Sequence, residues 1–146
     1  MRALPIFLTI YAAFIAMSFW EAYVEGRNPW NKRKLGWKIK FKKYTFPGYH
    51  FYLFVVMLPL LIIGLPLSIV GWNKELFGIL LSAFASGIVL EDFMWFVVNP
   101  KVKLKEFWTD FSDYYPWIKI NGKKILPAGY FIGIAVALLS WHYLWR

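Results

Sequence analysis

The chain has 146 residues, enough for one domain. Its residues are 60% hydrophobic and 22% aromatic with a mean hydropathy of +0.48, values of a membrane protein and not of a soluble domain. The absence of cysteine excludes disulfides, thiolate nucleophiles and zinc–thiolate sites, and the net charge of +9 falls between hydrophobic runs, which points to an anionic bilayer face and away from nucleic acid.

The expected fold class is all-α: a polytopic membrane protein, a four-transmembrane-helix bundle forming a single membrane domain over 1–146. A hydrocarbon core of about 30 Å needs roughly 20 residues of helix. Four runs reach that length, at 4–24, 49–71, 76–98 and 127–145, with loops at 25–48 and 99–126. Open strands would leave backbone groups unsatisfied in lipid, so the runs are read as helices. Eight cations fall in the first long loop and six in the second, against Arg2, Lys74 and Arg146 elsewhere. The positive-inside rule then places both long loops in the cytoplasm and both termini outside, in the cell membrane.

The first span opens after Arg2. A cleaved signal peptide is disfavoured, because the strong positive charge follows the span instead of preceding it. Its last turns read Ser18-Phe19-Trp20-Glu21-Ala22-Tyr23-Val24-Glu25, with Glu21 and Glu25 four apart on one face and Ser18 beside Glu21. In the following loop Trp37-Lys38-Ile39-Lys40-Phe41-Lys42 alternates apolar and basic, a strand period.

Pro47-Gly48-Tyr49-His50 opens the second span, and Pro59 and Pro66 are expected to bend that helix without ending it. In the third span Gly78, Ser82 and Ser86 form one small-residue stripe, and Ala83 and Gly87 its neighbour. One turn beyond Gly87 is Glu91, then Trp95 and Asn99, so Glu91 is expected to face the bundle interior. Asp92, about 100° around the helix, is expected to face another helix or the headgroups.

The second long loop begins with an amphipathic stretch, Leu104 to Tyr115, read as a helix lying in the interface through Phe107, Trp108 and Phe111. Its Glu106, Asp110 and Asp113 read as a solvated face. Asn121-Gly122 between alternating flanks then signals a β-hairpin. This hairpin is expected to pair with the strand of the first loop in one small sheet on the membrane surface. There Lys38, Lys40, Lys42, Lys123 and Lys124 would meet lipid headgroups, and Trp30, Trp37, Trp108 and Trp117 would sit in the interface. In the fourth span Gly129, Gly133 and Ala137 form a helix-packing face that could also receive a second copy in a homo-oligomer. His142, beside Trp141 and Trp145, reads as interfacial.

Five of the ten acidic or histidine residues, namely Glu21, Glu25, His50, Glu91 and Asp92, are thus expected in the cytoplasmic third of the bundle. Buried carboxylates need compensation, which a divalent cation, shared protons or Lys/Arg pairing can each supply. The metal reading assigns Glu21, His50 and Glu91 as ligands and Glu25 or Asp92 as a further ligand or catalytic general base. Asn99, Ser18 and Trp95 would support them. Glu21 is followed three residues later by Val24 and Glu91 by Met94, so the Glu-x-x-His repeat of di-iron bundles is absent.

The leading functional expectation is therefore a divalent-metal site acting on a lipid or other amphiphile. The rivals are a non-enzymatic scaffold or accessory subunit with structural carboxylates, and a small oligomeric cation- or proton-coupled transporter. Trp20-Glu21 with Glu25-Gly26, then Tyr49-His50, then Leu90-Glu91-Asp92-Phe93 with Trp95-Phe96 and Asn99-Pro100, resembles a pattern in small uncharacterised four-helix membrane proteins of bacteria and archaea. The resemblance implies the fold and carries no activity.

Overall fold

The computed structural model describes residues 3–29, 36–41 and 44–146. The expectations placed on Arg2, Trp30, Lys32, Arg33, Lys34, Lys42 and Lys43 lie outside the described residues. Among the described residues, four helices are long and apolar enough to cross a membrane: α1 (Ala3–Glu25), α2 (Gly48–Val70), α3 (Lys74–Val98) and α4 (Ala128–Trp145). Two hairpins complete the fold, β1 (Lys38–Phe41) with β2 (Tyr44–Pro47) and β3 (Trp117–Ile120) with β4 (Lys123–Pro127).

Helix α3 is the centre of the bundle. Its N-terminus is capped by Asn73, whose side chain accepts from Leu76 N at 2.8 Å. Half of its most apolar window is buried, against none of that of α2. Both α1 and α4 pack along α3 over much of its length. Gly87 is covered by the Phe14 ring of α1, and Gly133 of α4 sits on Ala85 and Val89. Polar side chains join the helices, as expected where lipid offers no hydrophobic drive to associate. Ser82 donates to the Ala137 carbonyl at 2.9 Å and Ser140 to the Gly78 carbonyl at 2.9 Å. Tyr11 of α1 and Ser86 share a bond of 2.8 Å.

Helix α2 continues through both prolines. It is π-wound over Phe51–Met57 and Leu60–Gly64, on either side of Pro59. Pro59 has no N–H to give the carbonyl four residues back, and its ring crowds that carbonyl; the wider winding relieves both.

The two hairpins form separate two-stranded sheets. The expected shared sheet is thus corrected: the strand period at Lys38–Phe41 is answered within its own loop by Tyr44–Pro47. At the second hairpin Asn121 (φ 50°) and Gly122 (φ 77°) both take the left-handed conformation of a two-residue type I′ turn.

The expected interface helix over Leu104 to Tyr115 is also corrected. It consists of two 3-10 turns, Leu104–Trp108 and Asp110–Ser112, broken at Thr109, whose backbone is extended. Hydroxyls compete with helix formation here: Ser112 donates to the Phe107 carbonyl at 2.6 Å, and Thr109 to the Glu106 carbonyl at 2.9 Å. Phe107 turns inward and packs with Phe96, Trp117 and Tyr130 under the bundle. Trp108 stays exposed.

Both long loops lie at one end of the bundle. Asn99 Nδ2 donates to the Gly26 carbonyl at 2.7 Å, and Arg27 forks onto both Glu106 oxygens at 2.6 and 3.2 Å. The Arg27 guanidinium, with the Lys103 N–H, holds the Glu106 carboxyl at about 2, below its ordinary 4.5. A depressed carboxylate stabilises the fold above its unfolded value, and that contribution fades as pH falls toward 2. Arg27→Ala is expected to return Glu106 toward 4.5, read by carboxyl NMR titration in micelles; an unmoved titration would show that the fork does not form.

Candidate metal centre

The site begins with helix geometry. Glu21 and Glu25 lie one turn apart on the buried face of α1, which also carries Ile10, Phe14, Ser18 and Ala22. His50 enters from the first turn of α2, which the first hairpin delivers: Gly48 N donates to the Trp37 carbonyl at 2.8 Å, and Gly48 lies flat against the Trp37 ring. The imidazole is packed edge-on by Phe54 and Tyr49, at ring separations of 5.3 and 4.3 Å.

His50 Nε2 lies 3.3 Å from Glu21 Oε1 and 3.7 Å from Glu25 Oε1, with all three side chains buried. The Tyr49 hydroxyl donates a short hydrogen bond to Glu25 Oε1. One ligand atom from each of Glu21, Glu25 and His50 lies within 4.8 Å of the other two. Tetrahedral ligands ~2.1 Å from an ion stand about 3.4 Å apart, so the His50 distances suit a shared cation. Two carboxylates and a neutral imidazole balance a divalent charge, and the donor set suits zinc, iron or manganese. Three protein ligands also leave a position open for a further group.

Comparison with protein families, curated proteins and solved structures returned no match.

The ligand set differs from the expected one by one exchange. Glu25, expected as a further ligand or a general base, joins Glu21 and His50, because its spacing from Glu21 brings it to the same imidazole. Glu91 is 1% exposed and lies beside Glu21, but outside that group. Its Oε1 has no hydrogen-bond partner among the described residues, nor has the buried Trp95 Nε1 one turn on.

Asp92 lies outside the three-ligand group: Tyr115 and Tyr130 both donate to its Oδ2 at 2.5 Å. Burial pushes the Tyr115 phenol well above its ordinary value, with the Asp92 charge adding to the effect, so it remains a donor.

Two of the expected supporting residues do other work. Ser18 donates to its own helix at the Ile15 carbonyl, 2.7 Å away. Asn99 ties α1 to α3, accepting from Lys101 N at 2.9 Å as well as donating to Gly26. Gly129 meets nothing within 4 Å, whereas Gly133 meets α3; the close face of α4 stops one turn short of the loops.

Lys40 and Lys123 are exposed, Lys38 is half-buried, and Lys124 is turned under its hairpin. Lys124 Nζ pairs with Asp113 at 3.0 Å and donates to the Thr109 carbonyl, which takes it away from a headgroup role. His142 is exposed and meets Arg146 at 3.2 Å.

Tyr49, Tyr115 and Tyr130 are the site residues that the sequence reading missed. A tyrosine in an apolar run reads as an interface residue, and nothing local shows that its hydroxyl ends on a carboxylate of another element.

Proposed function

We propose that this is a multi-pass membrane protein whose Glu21, Glu25 and His50 bind a divalent metal at the cytoplasmic end of the bundle. The metal centre would act on a lipid or other amphiphile from the inner leaflet. The observation that carries the reading is the convergence of three buried ligand atoms from two helices within 4.8 Å. Tyr49 would orient Glu25, as hydrogen bonds to ligands do in metal sites. A bound ion there would supply Lewis-acid polarisation of an oxygen.

The orientation rests on the positive-inside rule, with both basic loops at one end of the bundle. Exposed Ile39, Ile118, Ile120 and Ile125 stand beside lysines on the hairpins, a mixture suited to anionic headgroups.

The test is metal content by mass spectrometry of protein purified without a His-tag, for wild type, His50→Ala and Glu21→Gln. Stoichiometric metal in wild type, weakened more than about hundredfold in either variant, is the expected result, since even groups that only orient a ligand are worth 10–100-fold. A second reading, carboxylates that brace a non-enzymatic scaffold, is favoured by the bond from Tyr49 to Glu25 and the pairing of both glutamates with His50. Metal-free wild type that is destabilised by His50→Ala would select it.

A further inference from the structure

A second feature lies between α2, α3 and α4. A cavity of about 430 Å³ opens beside the metal centre, in the size range of small-ligand sites. Its walls are mostly apolar, with Val55 from α2, Ile88 and Val89 from α3, and Gly129 from α4. Glu91 and Asp92 line it together with the His50 imidazole, which Glu21 and Glu25 already pair, and no lysine or arginine does so among the described residues. Phe46, Phe54, Tyr115 and Tyr130 add aromatic rings.

Glu91 gives the cavity its chemistry. It is 1% exposed, and its Oε1 has no hydrogen-bond partner among the described residues. A buried acceptor in this condition is costly unless something donates to it. A neutral hydroxyl can donate, but a protonated amine donates and also offsets the charge of two adjacent carboxyl groups. Aromatic faces favour the same cation. The apolar walls fit a hydrocarbon chain.

We propose that this cavity binds an amphiphile carrying a protonated primary amine, with the ammonium at Glu91 and Asp92 and the chain along Val55, Val89 and Gly129. Asp92 Oδ2 is held by two tyrosine hydroxyls, so it meets the ammonium as a preorganised acceptor. The inference deepens the reading of an amphiphile-directed site by naming the headgroup and its place, and the binding step needs no metal.

Photo-crosslinking in phosphatidylcholine bilayers tests it. Three diazirine probes share one tetradecyl chain and end in a primary amine, an alcohol or a carboxylate. The amine is expected to label the cavity walls about tenfold more than the alcohol, the ratio that one charge-assisted hydrogen bond supplies. Glu91→Gln or Asp92→Asn should bring amine labelling down to the alcohol level.

Gly129→Leu keeps the test decisive if those variants fold poorly. Gly129 is part of the cavity wall and a Cβ there meets nothing within 4 Å, so the substitution adds bulk at the wall with no backbone clash. That variant should lose cavity labelling by all three probes and keep the metal content of wild type. Equal labelling by amine and alcohol, or labelling that survives Gly129→Leu, overturns the proposal. Metal-free protein that still prefers the amine would refute the metal reading and leave this one standing.

Discussion

Leucine at position 87 is expected to lower stability by about 2–3 kcal/mol, the cost of overpacking a contact that cannot relax. A Cβ there would stand 2.3 Å from Phe14 Cδ2 and 2.4 Å from Cε2. Phe14 is 2% exposed and packed by Phe84, so its ring has nowhere to turn. Helix α1 must then move away from α3. One and two turns beyond Phe14 on the same face are Ser18 and then Glu21 with Ala22, so the displacement reaches the candidate metal ligands. Gly87→Leu should therefore both unfold earlier in a denaturing-detergent titration and bind metal more weakly, although position 87 touches no ligand. Gly129→Leu is the control, being the same substitution where the added side chain meets open space. Equal unfolding midpoints for the two variants would show that α1 and α3 do not pack as described.

That contrast also marks what the sequence makes legible. The helix limits were readable to within two residues, because runs of about 20 apolar residues with flanking lysines have few other interpretations. The burial of Glu91 was readable from Gly87 one turn earlier, since a small-residue stripe records where a neighbour approaches. The Asn121-Gly122 turn was readable because few residue pairs tolerate two positive φ values. Gly129 was misread by the same logic that places Gly133: a four-residue repeat gives the face but not how far along the helix the neighbour stays close. The shared sheet was misread because strand period does not name a partner. The inward turn of Phe107 depends on hydroxyl-to-carbonyl bonds from Ser112 and Thr109, which periodicity does not encode. Whether Glu25 serves as a ligand or as a base was not legible, because its partner His50 comes from α2, placed by Trp37 and Gly48 across a hairpin.

Glu91 and Asp92 are adjacent in sequence and both carboxylic acids, yet their removal is expected to move stability in opposite directions. Asp92 accepts from two tyrosine hydroxyls. Asp92→Leu strands both donors in a low-dielectric setting and should cost about 2–4 kcal/mol, since each orphaned group costs about 1–3. Glu91 Oε1 has no such partner, and the side chain stands among carboxyl groups. A buried polar group left without a partner costs about 1–3 kcal/mol, which an apolar side chain of similar volume removes. Glu91→Met should thus raise the free energy of unfolding by about 1–3 kcal/mol in detergent, while it removes the amine preference of the cavity. A group that lowers stability in the free protein is retained for what it binds, the usual trade between stability and function. If Glu91→Met instead destabilises as much as Asp92→Leu, Glu91 is a brace for the bundle, and the candidate ligands Glu21 and Glu25 belong to the same structural network.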